Sequence, residues 1–294
     1  MSILTLFIST AAALSGYSDN SLPITPTVKD TIKASQTVTV QTNIIAPEGY
    51  QLVWHDEFND TSHAEGKCTM PNSDWEYEIA KPGWVNNELQ HYVPGITHTG
   101  DTLAFISNGT LKLITKKIDK EVYSVRLYAK KSTGFKYGYI EARMKLPTGI
   151  GTWPAFWMMP VHYNNDWPAS GEIDIMEEVG YDPNVIVGSL HAASHYGSSP
   201  ASGRTTCSTS QKEFHKYAVE WTSSRITFFV DDKAYYTYNN TNKGHADWPY
   251  DAPFYIILNM AWGGNWGGAQ GVDESALPTT YEVDYVRVFQ KNSK

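Results

Sequence analysis

From Tyr50 onward the chain is a series of short β-branched and aromatic runs, cut at close intervals by Gly, Pro, Asn and Asp. Leu111–Thr115, Gly138–Leu146, Val185–Leu190, Tyr217–Trp221, Ile226–Val230, Phe254–Met260 and Tyr281–Phe289 are such runs. In Tyr139–Met144 the alternation is clean: Ile140, Ala142 and Met144 share one face, and Glu141 and Arg143 share the other. No stretch carries the 3.6-residue apolar period of a long amphipathic helix. Many short strands at this spacing predict two packed antiparallel sheets, an all-β sandwich or jelly roll, as a single domain. With 294 residues and 41 % of them hydrophobic, there is ample material for its core, and a largely disordered chain is excluded.

The ends and the charge add further bounds. Residues 3–14 are apolar but interrupted by Thr5, Ser9 and Thr10, too short a run to span a bilayer. With Leu14-Ser15-Gly16 and the polar Ser18–Asn20 behind them, they have the apolar core and small-residue exit of a secretory signal, without its usual basic start. Leu-Ser-Gly before Cys is the pattern of a bacterial lipoprotein signal, and Tyr17 stands where that Cys would be. Residues 18–46, rich in Ser, Thr, Pro and Val, read as a tether. The expected organisation is a signal-like segment at 1–17, a tether at 18–46 and a folded domain at 47–294, exported as a secreted or surface protein of a bacterium. Cys68 and Cys207 are too few for a disulfide scaffold, and whether they pair is a matter of geometry. A net charge of −8 argues against nucleic acid as a partner.

Aromatic residues reach 13 %, with 10 Trp and 19 Tyr, which suits sheet packing or a surface that stacks on sugar rings. The most informative segment is Trp167–Glu178, with Glu172, Asp174, Glu177 and Glu178. Alternation puts Glu172 and Asp174 on one face and Ile173 and Ile175 in the core. Glu177, five residues after Glu172, would face the core in a regular strand. One extra residue near Met176, a bulge, returns it to the face of Glu172. Three carboxyls on one surface repel, which raises at least one pKa toward the range that acid–base chemistry needs. Sugar-acetal hydrolysis uses such a pair. A solvated acidic strand or a hard-cation site is the other reading of these residues alone.

Gly171-Glu-Ile-Asp-Ile-Met-Glu177 resembles the catalytic signature of family 16 glycoside hydrolases in its bulged form. Trp54–Phe58, Trp84–Tyr92, Tyr137–Arg143, Gly151–Trp157, Asn259–Trp266 and Val283–Phe289 resemble laminarinase segments in the same order, so the resemblance spans about Tyr50 to Phe289. It implies a β-jelly roll with a substrate cleft across its concave sheet. It also implies retaining endo-hydrolysis of β-1,3-glucosidic bonds in laminarin-like or mixed-linkage β-1,3/1,4-glucans, by a monomer with no cofactor for catalysis. On this resemblance Glu172 is the nucleophile, Glu177 the general acid/base, and Asp174 orients the nucleophile and tunes the proton balance. Glu178 falls outside the signature and is expected to face away.

The resemblance also marks out a cleft. Trp153, Trp157 and Trp167 are expected as stacking platforms, with a core role as the alternative for any lone Trp. Trp84, Asn87, Glu88 and Arg126 lie in segments like cleft loops or strands, and His191 is placed to meet the sugar at the cleavage point. Trp262 stands where many laminarinases carry a small aliphatic residue, a further expected stacking surface next to Trp266. His191 and His195 have a zinc-like spacing, but the text around them is not helical and nothing completes a ligand set. A structural calcium on the convex side is implied, with Glu57, the Gly109 carbonyl and Asp284 in the matching segments. An algal galactan, agar or carrageenan, is the neighbouring substrate, but no Arg and Lys cluster lies beside the acidic strand to hold sulfate. A non-catalytic carbohydrate-binding jelly roll would leave Glu172 and Glu177 without a reason to be present.

Overall fold

A computed structural model describes residues 44–59, 73–162 and 166–292. The signal-like segment, all but the last residues of the tether, and Cys68 lie outside the described residues. Residues 45–294 group as one compact unit.

Two sheets face each other, as the alternation predicts. The first runs, in spatial order, Ala201–Thr206, Val185–His191, Glu172–Glu177, Thr152–Pro160, Phe254–Trp262, Arg126–Ala129 and Trp75–Tyr77. Neighbours in it are antiparallel throughout. The second is built around Lys233–Asn239, Arg225–Val230, His215–Trp221, Gly138–Lys145, Thr279–Lys291 and Thr110–Ile118. Smaller strands, Glu121–Ser124 and Gln90–Tyr92, extend it, and Tyr50–Asp56 pairs with Thr279–Lys291. The core lies between the sheets. Phe156, Met158, Ile173, Ile256 and Leu258 enter it from one side, and Ile140, Ala142, Met144, Tyr217, Val219, Val286 and Val288 from the other. Each set is spaced by two, so a one-residue slip of any strand would turn its apolar set to water. This locks the register, and with it the outer face of the first sheet, where the chemistry sits.

The acidic strand contains the one irregularity that matters most. Against Val185–His191, Asp174 pairs with Ser189 and Glu177 with Val187, three residues on one strand against two on the other. Against Thr152–Pro160, Asp174 pairs with Trp157 and Met176 already with Phe156. One residue is extra, and it falls at Ile175–Met176. The expected bulge is there, and both side chains beside it are buried in the core.

Candidate active site

Lateral pairing arranges the outer face of the first sheet into rows. Glu172 lies opposite His191. The next row is Ser189, Asp174, Trp157, Ile257 and Tyr128. Beyond the bulge come Val187, Glu177, Ala155, Asn259 and Arg126. The three carboxyls therefore occupy successive rows of one surface, with Asp174 in the middle. Each has a distinct set of neighbours. Trp167 Nε1 donates to Glu172 Oε2 at 2.5 Å, and Trp153 Nε1 donates to Glu177 Oε1 at 2.9 Å. His191 Nε2 lies 3.1 Å from Asp174 Oδ2, while its Nδ1 accepts the Gly197 N–H at 3.1 Å. That second bond leaves the ring proton on Nε2, the nitrogen nearer the carboxyl. Asp174 is 2 % exposed, and the two glutamates keep a partial opening to the cleft.

These surroundings raise all three carboxyls. Burial pushes Glu172 up to about 8, with the Asp174 charge adding to it and His191 and the Trp167 N–H opposing it. Burial also raises Asp174. Glu177 is raised well above the usual range, by burial first and then by Asp174, with Glu172 adding and the Trp153 N–H opposing. Both other carboxylates thus act on Glu177 and favour it as the last of the three to give up its proton. The retaining mechanism needs this acid protonated while Glu172 is ionised. One acid and one nucleophile on a single face can cleave an acetal.

The rings and polar residues line the same surface. Trp153 and Trp157 sit on the cleft side of their strand, and Phe156 and Met158 on the core side. Trp266 packs edge-on against Trp153 at 5.4 Å, and Trp167, 39 % exposed, meets Tyr196 edge-on at 5.7 Å. Trp84 is 48 % exposed. The Arg126 guanidinium is held between Trp84 and Trp157, 5.1 and 4.6 Å from their ring centres. Asn87 donates to Asn265 at 2.8 Å, tying its loop to that of Trp266.

The Glycosyl hydrolases family 16 pattern matches residues 93–287. The chain is 39 % identical to a β-glucanase of Rhodothermus marinus over 255 residues, 82 % of this chain and 85 % of that one. This chain is a family 16 glycoside hydrolase. Among solved structures, the laminarinase from Flavobacterium sp. UMI-01 superposes with a TM-score of 0.73 at 40 % identity, covering 82 % of this chain and all of that one. A non-specific endo-β-1,3(4)-glucanase, SCLam, gives 0.74 at 40 % identity, over 85 % and 94 % of the two chains. Their jelly roll is the fold described above.

The family 16 hydrolase departs from its sequence reading at three places. Trp262 is fully buried, so it offers no stacking surface to the cleft. Its strand sends Ile256, Leu258 and Met260 into the core, and Trp262 has the same parity. Glu88, 6 % exposed, is engaged by protein: Gln90 Nε2 and Tyr92 Oη donate to its Oε2 at 2.8 and 3.0 Å. These bonds tie its carboxylate into the cleft wall. Glu57, Gly109 and Asp284 do not assemble as a calcium cage. Both Glu57 oxygens are taken by Arg287 at 2.8 and 2.7 Å, and Asp284 is held by Arg143 at 2.6 Å. Guanidiniums supply the positive charge that a dication would bring, so the residues as arranged do not fit calcium.

The sequence reading missed a buried polar chain behind the platforms. Trp157 Nε1 donates to Asn259 Oδ1 at 2.7 Å, Asn259 Nδ2 donates to Tyr92 Oη at 3.1 Å, and Tyr92 connects to Glu88. Gln90 closes it by accepting the Trp262 N–H at 2.7 Å. Glu88, Gln90 and Tyr92 alternate in sequence, which signals a shared face, but their partner Asn259 is 167 residues from Tyr92. The sequence reading also did not single out Tyr196, the ring that Trp167 meets edge-on. Glu178 does face away: it is buried and accepts from Ser210 Oγ, Gln211 Nε2 and the Asn184 N–H at 2.8, 2.6 and 3.0 Å.

Proposed function

We propose that this hydrolase cleaves internal β-1,3-glucosidic bonds of laminarin-like and mixed-linkage β-1,3/1,4-glucans with retention of anomeric configuration. The observation that carries this is the bulged strand, which presents Glu172, Asp174 and Glu177 on one face lined by Trp153, Trp157 and Trp167. Glu172 attacks the anomeric carbon while Glu177 gives its proton to the leaving oxygen. Water, deprotonated by Glu177, then releases the sugar from Glu172. Asp174 and His191 hold the nucleophile's surroundings fixed between the two steps. The rings stack on the apolar faces of neutral glucose units. Of the arginines on this face, Arg126 is occupied by Trp84 and Trp157, and Arg204, at the edge of the same row, pairs with Asp182 at 2.7 Å, which suits a neutral polymer better than a sulfated one. The β-glucanase and laminarinase names of its relatives point to the same substrates. The reaction belongs outside the cell: a polymer does not cross a bilayer, and residues 1–17 have the character of an export signal.

Proton NMR of the first-formed products on laminarin, with mixed-linkage glucan and agarose alongside, tests the proposal. The β-anomer should appear first, from the two glucans only. Initial α-anomer would mean inversion and would remove Glu172 as nucleophile, and turnover of agarose alone would remove the substrate assignment.

A further inference from the structure

A second cluster of reactive side chains lies away from the cleft, where the edges of the two sheets come together. Cys207 follows the edge strand Ala201–Thr206 of the first sheet. His215 opens His215–Trp221 in the second sheet, and Asp231 sits in the turn between Arg225–Val230 and Lys233–Asn239. One sulfur, one imidazole nitrogen and one carboxylate oxygen of these three all lie within 4.8 Å of one another. A tetrahedral zinc holds such atoms about 3.3–3.7 Å apart, so small side-chain shifts would close the set.

The surroundings are built for it. His215 Nδ1 lies 2.7 Å from Asp231 Oδ2, and its Nε2 lies 2.8 Å from Thr209 Oγ1. With a metal on Nδ1, the Nε2 proton already has its acceptor in Thr209, the outer partner that metal-binding histidines use. Asp231 Oδ1 is fixed by the Lys216 N–H at 3.0 Å, which leaves Oδ2 to turn toward a metal. Tyr217, fully buried in the same region, has a hydroxyl with no hydrogen-bond partner among the described residues. The cysteine is buried, the histidine half-buried and the aspartate exposed, so an ion can enter from the Asp231 side and keep a water as fourth ligand.

We propose that Cys207, His215 and Asp231 bind a thiophilic divalent metal of the zinc class, which staples the two sheets together at this edge. Binding exchanges the thiol proton, released to buffer, for the metal–sulfur bond, and no redox step is involved. The staple would act on the catalytic strand from behind. Cys207 N–H donates to the Asn184 carbonyl at 2.8 Å, and Asn184 and Ser210 both hold Glu178, the residue after Glu177.

Cobalt(II) titration of the metal-free protein reads the site directly. The expected result is a sulfur-to-cobalt charge-transfer band in the near ultraviolet, bleached by zinc, kept in Cys68→Ser and lost in Cys207→Ser. Saturating zinc should raise the melting temperature of wild type by about 5 °C. Because Cys207→Ser removes a buried group, Asp231→Asn at the exposed ligand is the second variant. It should stay folded and active while its zinc affinity falls at least tenfold. No band in wild type, a band that follows Cys68, or a Cys68–Cys207 disulfide shown by an absence of titratable thiol would each overturn the proposal.

Discussion

Replacing Glu172 by Gln should abolish hydrolysis and make the protein more stable, by an amount that depends on pH. A glutamate ionises near 4.5 when free and at about 8 in this cleft. The folded state therefore holds this proton more tightly than the unfolded chain does. Its contribution is fully present below 4.5 and is lost as pH rises toward 8. Each pH step across that interval costs roughly 1.4 kcal/mol, which sets a ceiling of about 3 kcal/mol at pH 7. Water reaching the half-open carboxyl, and the coupling of that carboxyl to the neighbouring Asp174, reduce this to an expected 1–2 kcal/mol or so. Glutamine carries no charge at any of these pH values, and its carbonyl can still accept the Trp167 N–H.

Urea unfolding of both proteins at pH 4, 6 and 8 measures the difference. The variant should match wild type at pH 4, lead by about 1 kcal/mol at pH 6 and lead further at pH 8. In thermal melts at pH 7 the gain corresponds to about 2–6 °C for a domain of this size. Retained binding of a glucan oligosaccharide would show that the cleft is intact. A variant no more stable than wild type at pH 8 would refute the reasoning, as would a gain that does not change with pH. In either case the carboxyl would not be held against its charge, and the proton argument for the site would fail with it.

Glu178→Ala should do the opposite of Glu172→Gln. It strips the partner from Ser210, Gln211 and the Asn184 N–H. It should therefore cost about 2–4 kcal/mol in urea unfolding, with kcat at low temperature nearly unchanged. Trp153→Phe keeps a ring in the cleft but removes the N–H that lowers the Glu177 pKa. The alkaline limb of kcat/KM on laminarin should move to higher pH, and a limb that moves down would contradict Glu177 as the proton donor.

What the sequence made legible follows from alternation. Ile140, Ala142 and Met144 are buried on one side of their strand, as their spacing predicts, and the same rule separates Trp153 and Trp157 from Phe156 and Met158. Trp262 was misplaced although its parity with Ile256, Leu258 and Met260 was available. A resemblance to cleft segments outweighed a plain count of two. The polar chain from Trp157 to Glu88 was not legible because it depends on Asn259 of the first sheet meeting Tyr92 of the second, 167 residues away, and no local pattern encodes that pairing. For Glu57 and Asp284, residue type suited a cation, but the nearby placement of Arg287 and Arg143 is set by tertiary pairing. The aspartate and glutamate were visible, and their partners were not.

The bulge shows how far local chemistry can dictate a catalytic geometry. The strand reads polar, apolar, polar, apolar, apolar, polar from Glu172 to Glu177. Strict alternation would send Met176 into the cleft and Glu177 into the core. Exposing the methionine forfeits about 1.5–3 kcal/mol, and burying an unpaired carboxylate costs several more. One extra residue removes both penalties: Ile173, Ile175 and Met176 are all at most 1 % exposed, while Glu177 opens to the cleft. The loss is a local gap in the ladder, on a strand flanked by well-paired neighbours. The irregular register is thus the one this sequence prefers on burial alone. The face that gathers Glu172, Asp174 and Glu177 is built by the apolar side chains on the other side of the same strand. It follows that the core residues Ile175 and Met176 are part of how the acid is positioned, although neither can touch a sugar.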